Sequence, residues 1–113
     1  MLMTFGDRSM LSGRSPEWIS AMIGFMKRID VELAEAGELV FQQGLDDPST
    51  AKSVRATDGP QTTDGPVAAP SQSLAGFWIV DVADEARAVE IAARISQAAD
   101  APIEVRMAMD APE

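Results

Sequence analysis

The segment LAGFWIVDV, residues 74–82, is the most strongly apolar strand-like run in the chain, and it decides the fold. Phe77 and Trp78 are neighbours in it, and neighbouring side chains of a strand point to opposite sides. A strand that is apolar on both sides is typical of the centre of a sheet with both faces covered. We therefore expect a central strand here, in a sheet that is covered on both faces.

A long helix is predicted before this strand. Ser15 suits the N-cap and Pro16 the first helical position, and Gly37 is the expected C-terminal stop. Between them, apolar residues recur at spacings of three and four, which predicts one buried stripe: Trp18, Met22, Phe25, Met26, Ile29, Leu33 and Ala36.

A second helix is predicted to begin at Asp84-Glu85, directly after the central strand. Its buried stripe comprises Ala88, Ile91, Ala92, Ile95 and Ala99. Glu90 and Arg94 are four residues apart, so we expect them to form an ion pair on the solvated side of this helix.

The remaining strand-like segments are shorter or more polar than the central one. They are residues 1–5, 38–43, 51–57, 61–63 and 103–110. Asp58-Gly59 lies between the third and fourth of these and predicts a two-residue hairpin turn. The order is then strand, helix, strand, hairpin, strand, helix, strand. It predicts a ferredoxin-like βαββαβ fold of the α+β class, with an extra hairpin inserted between the two halves.

In this fold an antiparallel sheet carries both helices on one face. The chain has no third helix for the other face, yet the central strand is apolar on both sides. We therefore expect a second copy of the chain to cover that face, giving a homodimer. Residues 1–110 are predicted to form a single domain, with residues 111–113 as a tail.

Composition excludes several kinds of chemistry. The chain contains no cysteine and no histidine, which excludes thiol catalysis, Ser-His-Asp triads, and zinc sites built on those ligands. Its net charge of −9 opposes binding to nucleic acids and anionic membranes. The longest apolar runs are far shorter than a membrane span, and MLMTFGDRSML has no charged leader before an apolar stretch. A cytoplasmic protein without a bound metal or cofactor is expected.

Three segments together resemble a known family: VRATDGPQTTDGPV, LAGFWIVDVADEARAVEIAARI and IEVRMAM. They are similar to the DGPF proteins of the YCII-related family, over about residues 1–110. The resemblance implies the dimeric α+β barrel arrangement, in which the sheets of two protomers pack face to face around a cleft. It also implies a bacterial, cytoplasmic protein. Members of the wider group include small-molecule isomerases and lyases, and some relatives are suspected of using a histidine–aspartate pair.

The chain departs from this family pattern at and after its signature. Asp64, Gly65 and Pro66 match the Asp-Gly-Pro-Phe motif, but Val67 stands where the aromatic residue is expected. The polar and charged residues that usually follow are replaced by Ala-Ala-Pro-Ser-Gln. The histidine is missing as well. These departures from the family pattern weaken the case for catalysis by this chain.

Asp64 is the best single candidate for a site residue, either as a turn-stabilising carboxylate or as a general base in a cleft. Arg55 and Arg106 could each hold an anionic ligand or take part in ion pairs. Asp81 could line the cleft or accept hydrogen bonds at the start of the following helix. Trp78 is interpreted as lining an interface or a cleft.

Two functions remain open from the sequence. The first is a homodimeric module that binds a small molecule or regulates a partner, without inherited catalysis. The second is a small-molecule isomerase or lyase in which Asp64 moves a proton and Arg55 or Arg106 stabilises an oxyanion.

Overall fold

The computed structural model describes residues 1–110. The strands are β1 (Leu2–Phe5), β2 (Leu39–Gly44), β3 (Lys52–Ala56), β4 (Pro60–Asp64), β5 (Leu74–Val80) and β6 (Glu104–Val105). The helices are α1 (Pro16–Glu35) and α2 (Glu85–Ala99), and three short 3-10 turns lie in the connections. The tail expected at residues 111–113 lies outside the described residues.

Four strands form one antiparallel sheet in the order β2-β5-β1-β6, and β3 and β4 form a separate hairpin. With the hairpin set aside, this is the ferredoxin-like order, so the predicted fold is confirmed. β5 lies inside the sheet between β2 and β1, as its apolar sequence predicts.

The core lies between one face of this sheet and both helices. Leu2 and Trp78 are register partners on that face, and they cluster with Ile29 and Leu33 of α1. Four residues of α2 complete the cluster: Ala88, Ile91, Ala92 and Ile95. Of the predicted stripe of α2, only Ala99, its last residue, is outside this buried cluster.

The helix ends follow the sequence signals. The Ser15 side chain accepts a hydrogen bond from the backbone N–H of Trp18, and the Asp84 side chain accepts one from that of Arg87. These two N-cap side chains satisfy N–H groups in the first turns that have no partner within their helices. At the other end of α1, Gly37 has a φ of 71°, as the expected C-terminal stop requires.

Two local predictions are wrong. The strand expected at residues 103–110 is only Glu104–Val105, and Arg106 after it exchanges two backbone hydrogen bonds with Met1. The hairpin loop has three residues, 57–59, rather than two, since Ala56 pairs with Pro60. A two-residue type I′ turn needs positive φ at both positions, whereas here only Gly59 has it, at 93°.

The ion pair expected between Glu90 and Arg94 is also wrong. Arg94 instead makes two hydrogen bonds to Glu32 of α1, at 2.7 and 3.1 Å. Glu90 accepts from Arg87, three residues earlier on α2. Arg94 therefore joins the two helices, and a fork-shaped pair of this kind outweighs an exposed contact within one helix.

Candidate functional site

The β3–β4 hairpin, here called the arm, projects from the body of the protein. Every residue of β3 and β4 is exposed except Ser53, which is half-buried. The chain has a radius of gyration of 16.2 Å, against about 13 Å for a compact chain of this length. The arm is therefore a feature without a core of its own.

The Asp-Gly-Pro signature lies where the arm rejoins the body. Asp64 is the last residue of β4, and Gly65 follows with a φ of 103°, which favours glycine. The N–H of Gly65 donates to the carbonyl of Ala51, and its own carbonyl accepts from the Ser53 hydroxyl, both at 2.8 Å. The motif thus closes the base of the arm and turns the chain back toward β5.

A groove of about 450 Å³ lies at this base, within the usual size range of small-molecule sites. Its walls come from the start of β3, from the segment that follows β4, and from the chain next to the end of β2 and the start of β5. The apolar lining includes Leu45, Pro48, Pro66, Val67 and Leu74, and the polar lining includes Asp46, Asp47, Lys52, Ser53 and Ser73. Pro66 is the residue of the signature that lines the groove.

Asp47 is the best-anchored polar group of the groove. Its carboxylate accepts hydrogen bonds from the backbone N–H groups of Ser49 and Arg8, at 3.1 and 2.9 Å. Hydrogen bonding from Ser49 and Arg8 holds the pKa of Asp47 well below its usual range. Asp47 therefore stays ionised and fixes the loop after β2 against the loop after β1.

The sheet face opposite the helices, here called the open face, carries large apolar side chains. Met3, Phe77 and Ile79 lie on it by register, together with Phe41 of the edge strand β2. The rings of Phe41 and Phe77 lie with their centroids 6.0 Å apart, and Phe41 is 52% exposed. None of these four residues belongs to the core cluster between the sheet and the helices, although Met3 is only 7% exposed and Phe77 and Ile79 are half-buried. The exposed apolar part of the open face is centred on Phe41.

Charged groups flank the open face on different edges. Glu104 lies beside Met3 on β6, and its carboxylate forms an ion pair with Arg106. Asp81 follows the last residue of β5, and its N–H donates to the carbonyl of Glu38 at 2.8 Å. The Asp81 side chain is exposed and does not cap α2, since Asp84 does so.

The structure does not bring the predicted site residues together within one chain. Asp64 is 85% exposed and forms an ion pair with Lys52, its register partner across the arm. Arg55 lies farther out on the arm. Asp81 lies at the opposite end of β5 from the arm base, a separation of about 20 Å along the strand. Arg106 directly follows β6, the strand at the other edge of the sheet.

Trp78 requires a correction. The interpretation that it lines a cleft or an interface is wrong, since it points toward the helices and is 7% exposed. Its indole N–H donates to Asp30 of α1 at 2.8 Å. A buried indole needs a hydrogen-bond acceptor, and α1 supplies one inside the chain. Phe77, not Trp78, lies on the open face.

A family profile described as the YCII-related domain matches residues 3–111. The chain belongs to the YCII-related domain family. A search of curated proteins finds no match. Among residues 1–110, no helix is long and apolar enough to cross a membrane, and no three acidic side chains converge as a metal site would require.

Sequence reasoning missed two features of this YCII-related chain. The Asp47-Pro48-Ser49 run caps a short turn and could have been recognised, because Asp before Pro is a local start signal. Arg87 and Glu38 form a bidentate ion pair at 2.9 and 3.0 Å. The pair lowers the pKa of Glu38 and raises the pKa of Arg87, so it stabilises the charged form of both. These residues are 49 positions apart, so no local pattern links them.

Proposed function

We propose that this YCII-related protein is a homodimeric small-molecule-binding or regulatory module without inherited catalysis. The open face carries the proposal, because Phe41 is 52% exposed there and neither it nor its neighbours Phe77 and Ile79 belong to the core cluster. Such surfaces on water-soluble domains mark sites of interaction. A second copy offers the same patch, and a two-fold axis matches a patch to itself.

The groove at the arm base supports the small-molecule part of the proposal. Its size suits a ligand, its walls combine apolar and polar groups, and Asp47 holds one wall in place. Most of its polar groups already have partners within the chain, as with Ser53 on Gly65 and Lys52 on Asp64. The groove is thus better suited to shape and apolar recognition than to bond making.

The isomerase or lyase alternative gains no support among residues 1–110. It requires Asp64 in an enclosed cleft with an arginine close by, whereas Asp64 is exposed and its ion-pair partner is a lysine. A general base has to lie within hydrogen-bond reach of the proton it removes, in a site that limits access of water.

Sedimentation equilibrium from 1 to 100 µM tests the dimer. We expect the wild type to dimerise and Phe41→Asp to be monomeric with an unchanged circular dichroism spectrum. Val31→Asp is the matched control, because Val31 is similarly exposed but lies on α1. A wild type that stays monomeric at 100 µM, or a Phe41→Asp protein that dimerises as well as wild type, would refute the open-face dimer.

A thermal-shift screen of small organic metabolites tests the ligand site. Compounds that stabilise the wild type are expected to lose their effect on Ala68→Trp, which narrows the groove, because Ala68 lines it. They should keep their effect on Asp64→Asn, since Asp64 lies outside the lining. If a compound is converted to product by wild type but not by Asp64→Asn, the enzyme alternative gains and the proposal of a module without catalysis fails.

A further inference from the structure

We infer that the arm packs against a second copy of this chain, with the side that carries Val54 facing the partner. The inference rests on the proposed dimer and adds a second contact region to it. Its starting point is the exposure of the arm, since every residue of β3 and β4 except Ser53 is exposed in the described part of the chain. A two-stranded hairpin alone is marginally stable in water and is held by packing on a third element.

The two sides of the arm differ in chemistry. Register pairing places Lys52, Val54, Ala56, Pro60, Thr62 and Asp64 on one side, and Ser53, Arg55, Gln61 and Thr63 on the other. On the first side, Val54 is 65% exposed amid small or apolar neighbours, and Lys52 and Asp64 neutralise each other at the base. The second side is polar and carries Arg55, which has no ion pair with a described residue. The first side is the one suited to a protein contact.

Charge favours a second copy at the arm over other parts of the surface. The chain carries −9, so two copies repel one another at long range. The arm, residues 52–64, has two basic residues and two acidic ones and is therefore neutral. Because the arm is neutral, a contact that it makes with a second copy adds no net negative charge to the interface.

The area of the open face also favours a contribution of the arm to the dimer contact. Four strands about 4.8 Å apart and averaging about five residues cover roughly 300 Å² in projection. A standard interface buries about 800 Å² of accessible surface per partner, and doubling the projected area to allow for side-chain relief puts the open face at about 600 Å², the lower end of the range of stable interfaces. One side of the arm adds about 160 Å² in projection. With the same doubling, open face and arm together reach about 900 Å², which is above the standard size per partner.

The test compares Val54→Asp with Gln61→Asp by sedimentation equilibrium. Both changes place the same charge at exposed positions of the arm, but on opposite sides. Val54→Asp should weaken dimerisation about tenfold or more, and Gln61→Asp should change it less than about threefold. Hydrogen exchange adds a measurement that needs no variant. The arm amides of residues 53–63 should exchange more slowly at 100 µM wild type than at a dilution where it is monomeric.

The outcomes separate this inference from the proposed dimer. If the wild type dimerises but both variants weaken it equally, or the arm amides exchange alike at both concentrations, the arm contact is refuted and the open-face dimer stands. If the wild type is monomeric at 100 µM, both are refuted. A selective effect of Val54→Asp together with concentration-dependent protection of the arm supports the contact.

Discussion

Replacing Trp78 by Phe tests the placement of the central strand. The change removes the indole N–H that donates to Asp30, and it removes part of a ring that is 93% buried. Loss of a hydrogen bond to a charged acceptor costs about 1.5–3 kcal/mol. The space left by the smaller ring adds about 1 kcal/mol, the cost of one or two buried carbon groups. We expect Trp78→Phe to lower the free energy of unfolding by about 3 kcal/mol.

Urea denaturation followed by circular dichroism measures this loss. With a slope of about 1.5 kcal/mol per molar urea, the midpoint should fall by about 2 M at fixed protein concentration. A double-mutant cycle with Asp30→Ala should show a coupling energy of about 1 kcal/mol or more, because the two side chains share one hydrogen bond. The control Trp18→Phe should cost less, since Trp18 is only half-buried.

Two results would refute the reasoning on Trp78. One is a loss smaller than about 0.5 kcal/mol, the range of ordinary surface substitutions. The other is a weaker dimer with unchanged unfolding of the protomer, which would return Trp78 to an interface.

Three further predictions concern the arm base and the charged groups. Gly65→Ala should destabilise the protein by about 1–2 kcal/mol in urea denaturation, because its φ of 103° strains any residue with a Cβ. Gly44→Ala, at ordinary φ and with open space around the new Cβ, is the control and should cost less. The folded-state pKa values of Glu38 and Asp47 lie below their ordinary values of 4.5 and 3.8. Both carboxylates therefore contribute stability that is complete above about pH 5 and is lost as pH falls through 4.5 and below. Urea midpoints from pH 3 to 7 should show this fall, and Glu38→Gln should make it shallower; an equal slope in wild type and variant would contradict the assignment. Asp64→Asn should change the free energy of unfolding by less than about 0.5 kcal/mol, because the carboxylate is exposed. A loss above 1 kcal/mol would show that the motif carboxylate stabilises the arm.

Asp-Gly-Pro occurs twice, at residues 58–60 and 64–66, and the two copies show what a local pattern can and cannot predict. In both, the structure gives glycine a positive φ, at the tip of the arm for Gly59 and at its base for Gly65. A local pattern predicts a turn at both places, and the chain turns at both, although the loop at the tip has three residues rather than the predicted two. It does not distinguish a tip from a base, because that depends on which strands pair, and here Lys52 pairs with Asp64 across the arm.

The candidate site was harder to predict than the fold. Alternation along residues 74–82 establishes that Phe77 and Trp78 point to opposite sides, but it does not say which side the helices take. That choice is made by α1, where Asp30 accepts the indole N–H and Ile29 and Leu33 pack beside Trp78. Likewise, Arg94 forms its ion pair with Glu32 of α1 rather than with Glu90 of its own helix, because the two helices lie side by side.

By itself, the sequence determined the class and order of elements, the helix ends, and the apolar character of both sheet faces. Period, capping residues and turn residues are local properties, and they act within a few positions along the chain. Only the tertiary structure decided that Trp78 belongs to the core and Phe77 to the open face, and that the Asp-Gly-Pro signature closes the base of an exposed arm. Those outcomes depend on contacts between residues far apart in sequence, where packing and hydrogen-bond satisfaction select one arrangement among several that local patterns allow equally.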